Sequence, residues 1–207
     1  MIPHQKLDRF AVAVLQGVTQ RLWGFPPHLM PVLVAQLGGR RAIAWFLWNM
    51  PRYQRTLTVF GRLRTHLLGI TISLINSCAY CTFGTAYALQ LIYLKEHDTL
   101  FPLDEHAITA LHLHERAETR ERLVAALHEA DLSAEVPWVD RLIALASHDR
   151  QPADHDDTRI THLIGMFAVL NTCAIAGDVA PDEAHDTINK DQALKERYAL
   201  LRAESST

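Results

Sequence analysis

Two cysteines lie three residues apart in the run Asn76-Ser77-Cys78-Ala79-Tyr80-Cys81, inside a long uncharged stretch. On a helix, residues i and i+3 share a face, so the two sulfurs can close a disulfide or bind one soft metal ion. A thiol near a helix N-terminus also meets unpaired backbone N–H groups, which lower its pKa. Dithiol redox chemistry is therefore the leading hypothesis. The competing interpretation is that both cysteines are small core hydrophobes.

Composition limits the classes of function. The chain has 207 residues, of which 49% are hydrophobic and 21% charged, with a formal net charge of -3. Such a chain can bury a good-sized core as one domain, and its charge gives no reason to expect a nucleic-acid partner. Three cysteines are too few for a disulfide scaffold, and the N-terminus has no apolar run typical of a signal peptide. We therefore expect a cytoplasmic, reducing compartment.

The segment from Leu67 to Leu94 carries no formal charge and exceeds the ~20 residues that a membrane-spanning helix needs. Polar side chains are nevertheless spread through it, and the pair Asn76-Ser77 has the character of a helix cap in its middle. Two consecutive buried helices explain this pattern better than a bilayer span. No membrane association is predicted.

Apolar residues recur at three- and four-residue spacing, and no stretch shows sustained alternation, so the pattern predicts an all-α protein. Pro51 is expected to end the third helix, and Pro181 to open the last one. Asp104 and Asp154 are expected to lie at helix starts. The predicted helices are 5–22, 28–37, 41–49, 52–75, 78–96, 103–114, 117–130, 136–147, 156–176 and 181–203.

The chain also echoes itself, since Thr65 to Gly69 resembles Thr161 to Gly165, and Leu74 to Ala79 resembles Val169 to Ala174. The echo predicts a helical bundle built from a duplicated unit, with Ala176 at the position that corresponds to Cys81. We expect a single domain over residues 1–207. Its parts are an N-terminal helical extension at 1–43, a repeat bearing the cysteine pair at 44–96, and a second, degenerate repeat at 103–204.

The run from Leu74 to Cys81, preceded by an amphipathic helix and followed by a helix of small residues, resembles the alkylhydroperoxidase D and carboxymuconolactone decarboxylase-like family. The resemblance covers roughly Ala44 to Leu94, and Ile160 to Asp182 more weakly. It implies an all-α homo-oligomer in which Cys81 attacks a hydroperoxide and Cys78 resolves the product to a disulfide. No bound cofactor is implied, because an external dithiol would supply the electrons.

This chain departs from the family pattern at the proton-carrying positions. The family has a Glu twelve residues before the first cysteine and a His four after the second, where this chain has His66 and Thr85. His66 could replace both as a base, since histidine titrates near neutral pH. Thr85 could orient a water or a sulfur, and Tyr80 could donate a hydrogen bond to a bound oxygen. Asn76, within the motif, is a further supporting candidate.

Three alternatives remain open. Cys78 and Cys81 could bind zinc with His66 or His162, although no second CxxC and no HxxxH run supports a metal, and none is predicted. The chain could be an altered family member that acts as a helical binding or assembly protein. It could also be a non-redox lyase. The leading prediction is an oxidoreductase that reduces hydroperoxides or exchanges disulfides.

Overall fold

The computed structural model describes residues 4–205, and these residues form helices and contain no strand. The all-α prediction is confirmed. Short 3-10 turns follow α6 at Leu111–Leu113, precede α8 at Ser133–Glu135, and precede α10 at Thr187–Lys190. The α-helices of the described residues are α1 (His4–Trp23), α2 (Leu29–Leu37), α3 (Gly39–Phe60), α4 (Arg62–Ile75), α5 (Ala79–His97), α6 (Glu105–Ala110), α7 (Arg116–Glu129), α8 (Val136–Ala146), α9 (His155–Ala176) and α10 (Gln192–Ser205).

The uncharged segment of the sequence forms the centre of the fold. Helix α4 is buried without interruption from Thr65 to Leu74, and it packs along α5. Both helices expose almost no apolar surface to water. Burial of such surface is the main favourable term in folding. The prediction of two consecutive buried helices is confirmed. Among the described residues, only α9 is long and apolar enough to cross a membrane by length and composition, and it packs against α2, α4 and α8.

The turn between α4 and α5 brings Cys78 to a helix N-terminus. Asn76 ends α4, and Ser77 adopts a left-handed conformation with φ 56°. Cys78 is extended, and its own sulfur accepts a hydrogen bond from the backbone N–H of Cys81. The cap is therefore the first cysteine rather than the Asn76-Ser77 pair. Asp104 and Asp154 cap α6 and α9 as expected.

The predicted helix end at Pro51 is wrong. Helix α3 continues through Pro51 to Phe60, and the chain breaks instead at Gly61, where φ is 82°. Proline cannot donate a hydrogen bond to the carbonyl of Leu47, but both residues lie on the exposed face of the helix, where water can solvate that group. The carbonyl of Trp48, the next residue, accepts a hydrogen bond from the Arg52 side chain.

The predicted helix over 181–203 is also wrong in its first half. Residues 177–191, which we call the connector, contain a 3-10 turn and otherwise no helix, and α10 begins only at Gln192. Asp182 accepts hydrogen bonds from the backbone N–H groups of His28 and Glu183, and Asp186 accepts from that of Ile188. Short acidic side chains that bind nearby N–H groups compete with helical bonding. The connector is thereby fixed in an irregular path.

The internal echo does not produce a second turn. Asn171 and Thr172, which correspond to Asn76 and Ser77, lie inside the uninterrupted helix α9. The duplicated unit therefore stays a prediction. The predicted N-terminal extension, in contrast, is built into the core: Ala11, Leu15 and Leu33 belong to the same apolar cluster as all three cysteines.

Candidate functional site

A small, mostly apolar cavity lies beside the second cysteine. Cys81, Thr85 and Tyr80 of α5 line it, together with His185 of the connector and Met30 of α2. The space is about 50 Å³. A water molecule needs ~10–15 Å³ on this measure, so the cavity has room for a few water-sized groups. Cys78 does not line the cavity.

The two thiols differ in their electrostatic environment. A hydrogen bond from the Cys81 thiol lowers the pKa of Cys78 despite its burial, and the backbone N–H groups of Cys81 and Tyr80 lower it further. The Cys81 N–H lies 3.4 Å from the Cys78 sulfur. Burial raises the pKa of Cys81 well above the usual thiol range, and the neighbouring sulfur adds to this effect. Of the two thiols, Cys78 is therefore the more easily ionised, and Cys81 holds its proton more firmly.

A histidine and a carboxylate from the connector complete the site. His185 Nε2 lies 3.0 Å from Asp182 Oδ1, and the Tyr80 hydroxyl donates to Asp182 Oδ2 at 2.9 Å. An ionised carboxylate only accepts hydrogen bonds, so Nε2 carries a proton and donates to Asp182; in the neutral ring, Nδ1 then holds the lone pair. Burial and the adjacent Asp182 charge raise the pKa of Tyr80, which keeps its proton at neutral pH.

Packing fixes the position of His185. Its ring is stacked with Trp23 at 5.8 Å between centroids and lies 4.9 Å from the Tyr80 ring. Its backbone N–H donates to the carbonyl of Gly84, at 3.0 Å. A Cβ atom at Gly84 would fall 2.3 Å from the ring, so only glycine permits this approach. Gly84 follows Cys81 by three residues, which places the histidine over the same face of α5.

His66, the base expected from the sequence, lies elsewhere. It is fully buried, does not line the cavity, and its Nε2 lies 2.8 Å from Asp186 Oδ2. Burial, and next the nearby charge of Arg62, lower the pKa of His66 to about 3, so the ring is neutral at neutral pH. Its Nδ1 has no hydrogen-bond partner among the described residues. The structure does not bring His66 to Cys81; the histidine that lines the cavity with Cys81 is His185.

The other expected residues divide between the cavity and the surface. Thr85 lines the cavity, but its hydroxyl donates to the Cys81 carbonyl at 2.6 Å, so its proton is already bound within the helix. Tyr80 lines the cavity and bonds Asp182 rather than a sulfur. Asn76 is exposed in the turn and faces a different pocket.

The third cysteine joins the other two in space. Cys173 of α9 is buried in the same apolar cluster, and it is close enough to contribute to the raised pKa of Cys81. The sequence signal for Cys173 is that it aligns with Cys78 when the two similar segments of the chain are compared. Among the described residues, no three His, Cys, Asp or Glu side chains are grouped as a metal site. The zinc set with His162 is not assembled, because His162 Nε2 contacts Asn49 at 3.0 Å.

The sequence does not mark Asp182 and His185 as site residues, because Pro181-Asp182-Glu183 has the composition of a helical first turn. No local pattern shows that this segment reaches α5.

Searches of family models, curated proteins and solved structures returned no match for this chain. The resemblance to alkylhydroperoxidase D therefore stays a prediction, and the functional argument rests on the geometry of the site.

Proposed function

We propose that the protein is a thiol-dependent oxidoreductase that reduces a small hydroperoxide at Cys81. One observation carries the proposal: Cys81 and His185 line the same small cavity, and Asp182 holds the histidine with its Nε2 proton bound. A thiol, an imidazole and a carboxylate in this order form the arrangement by which a base activates a nucleophile. The two relay residues of the family pattern that this chain lacks are, in this proposal, replaced by a histidine from another part of the chain.

In the first step, His185 accepts the Cys81 proton at Nδ1, directly or through a molecule in the cavity. The Cys81 thiolate attacks the nearer oxygen of the hydroperoxide, so an S–O bond forms and the O–O bond breaks. The sulfur is oxidised to a sulfenic acid. The leaving alkoxide or hydroxide takes the proton from His185 and departs as an alcohol or water. General acid–base help of this kind is typically worth ~10²- to 10⁴-fold.

In the second step, the Cys78 thiolate attacks the Cys81 sulfur. An S–S bond forms, the S–O bond breaks, and hydroxide leaves and takes a proton from solvent. The lowered pKa of Cys78 suits this role, because its thiol ionises more readily than that of Cys81. An external dithiol then reduces the disulfide by thiol–disulfide exchange, which returns two protons and two electrons.

The size of the cavity favours hydrogen peroxide or a short alkyl hydroperoxide. About 50 Å³ accepts the peroxide group but little more while the surrounding side chains stay in place. Met30, Met50 and Met166 form part of the wall, and methionine is the side chain that adapts most readily to a new shape. A longer substrate would require these residues to move.

The test is steady-state hydroperoxide turnover with a dithiol reductant in the wild type and in single variants. We expect Cys81→Ser to abolish turnover and His185→Gln to lower kcat/KM by at least about 10²-fold. His155→Gln is the matched control, because His155 is an exposed histidine at the start of α9. Background rates in the wild type, or an unchanged rate in His185→Gln, would contradict the proposal.

A second candidate is a helical binding or assembly protein that keeps its cysteines as packing. It is favoured by the burial of all three thiols in one apolar cluster. Ultraviolet titration of thiolate absorbance separates the two candidates. A redox pair should ionise one thiol below the usual range near pH 8.5, and Cys78→Ser should remove this transition while Cys173→Ser keeps it. Packing cysteines should show no such transition.

A further inference from the structure

A second pocket lies on the other side of the α4–α5 turn and shares no lining residue with the thiol cavity. Its walls come from the end of α4, the first two turns of α7, the second half of α8 and the segment around His112. Its volume is about 480 Å³, which is in the usual range for small-molecule sites, ~300–1,000 Å³. The function proposed for the thiols makes no use of it.

The floor of this pocket is apolar. Leu123 and Val139 are fully buried at its base, and Leu74 lies beside them. Ile75 and Ile143 are half-buried and complete the floor. A ligand with a hydrocarbon body would bury its own apolar surface against this floor and gain roughly 25 cal/mol for each Å² removed from water.

The rim carries a positive charge without a counter-ion. Arg120 is engaged by Asp140 through two hydrogen bonds of 2.7 and 2.8 Å. Arg116, also on the rim, has no ion-pair partner among the described residues. Glu118, the nearest acid on α7, already accepts from Arg122 and pairs with His114. The guanidinium of Arg116 is therefore available to an anion.

Two residues of the α4–α5 turn add hydrogen-bond donors to the lining of this pocket. Asn76 and Ser77 are exposed, and their side chains have no intramolecular hydrogen bond among the described residues. Arg116 and these two residues line the same pocket as the apolar side chains of its floor. Charge-assisted hydrogen bonds to a carboxylate or similar group are about twice as strong as neutral ones.

We propose that this pocket binds a small organic anion, a carboxylate or an equivalent headgroup on an apolar body. The probe is octanoate below its micelle concentration, with 1-octanol as the neutral comparison, measured by isothermal titration calorimetry on the full chain. We expect saturable octanoate binding and clearly weaker binding of 1-octanol. Arg116→Ala should weaken octanoate binding roughly tenfold. Arg55→Ala, an exposed arginine on α3, should leave it unchanged.

A second pair of variants tests the location. Ala117 is exposed and lines the pocket, so Ala117→Trp should block it without disturbing the core. Ala44→Trp, at an exposed position of α3, is the matched control. The proposal is overturned if octanoate shows no saturable binding or if 1-octanol binds equally well. It is also overturned if the α3 variants lose as much affinity as the pocket variants.

Discussion

The two cysteines of the motif have unequal chemistry because they occupy unequal positions on α5. Cys78 lies at the helix N-terminus, where its sulfur accepts hydrogen bonds, whereas Cys81 lies one turn inside and is desolvated. Only Cys81 faces the cavity. In the proposed reaction, the buried Cys81 thiol therefore needs a base, whereas Cys78 ionises more readily and acts as the resolving thiol.

Gly84→Ala tests the position of that base without altering any group proposed to react. The new Cβ would lie 2.3–2.5 Å from atoms of the His185 ring, so the ring must leave its place. We expect kcat/KM for hydroperoxide to fall by about 10²-fold, as in a variant that lacks the histidine. The Cys78 thiolate transition should persist in the same protein.

The matched control is Gly165→Ala in α9, where a Cβ would meet nothing within 4 Å. Its turnover should equal that of the wild type. Full activity in Gly84→Ala, with the fold intact by circular dichroism, would contradict the assignment of His185.

The cysteine pair and its cavity neighbours Tyr80 and Thr85 could be found from sequence, because they follow one another on a single helix. His66 was a reasonable base by sequence spacing, but α4 turns it toward Asp186 instead of Cys81. His185 could not be found in this way. Its approach depends on the missing side chain at Gly84 and on stacking with Trp23, and no local pattern records either contact.

At the scale of elements, periodicity predicted the helices well but not where the chain breaks. Proline normally ends or kinks a helix, yet α3 tolerates Pro51 on its exposed face. The break occurs at Gly61, which has the positive φ that side chains disfavour. The sequence predicts helix over much of the connector because its acidic residues suit a helical first turn. Those carboxylates are instead used by distant N–H and O–H groups.

The substitution Gly61→Ala tests how much the backbone conformation at this break contributes to the free energy of unfolding. Gly61 has φ 82° and ψ 159°, and a Cβ there would have no neighbour within 4 Å. The cost of Gly61→Ala is therefore purely conformational, about 1–3 kcal/mol of unfolding free energy. Gly165→Ala, within a regular helix, should have the opposite sign and stabilise by about 0.5–1 kcal/mol.

Urea denaturation measures both effects, as shifts of the midpoint at constant slope. An unchanged midpoint in Gly61→Ala would show that the α3–α4 junction relaxes to another conformation at no cost.

At the scale of the whole molecule, the site exists only because distant segments of the chain close over α5. The backbone N–H of His28 donates to Asp182, and the Asn189 side chain donates to the Trp23 carbonyl. The loop between α1 and α2 thus holds the connector against the cysteine helix. The N-terminal residues had no assigned role in the sequence, since such contacts join residues more than 150 positions apart.

Asp182 is the centre of this closure, so Asp182→Asn should change stability in a pH-dependent way. Burial alone would raise the pKa of Asp182, but hydrogen bonds from His185 and from the N–H groups of His28 and Glu183 outweigh it and lower the pKa. A carboxyl group whose pKa is lower in the folded state stabilises the fold above its unfolded pKa of ~3.9. That contribution is lost as the pH falls through the folded value.

We therefore expect Asp182→Asn to unfold at a lower temperature than the wild type at pH 7, and the difference to shrink below about pH 4. Thermal unfolding followed by circular dichroism across this range measures it. Asp178→Asn is the control, because Asp178 lies in the same connector, is exposed and forms no ion pair among the described residues. A difference between Asp182→Asn and the wild type that stays constant from pH 7 to acid would mean that the Asp182 charge does not hold the connector. The closure would then depend on the ring contacts of His185 with Trp23 and Tyr80 and on the remaining hydrogen bonds of the connector. The proposed orientation of the base would lose its electrostatic support.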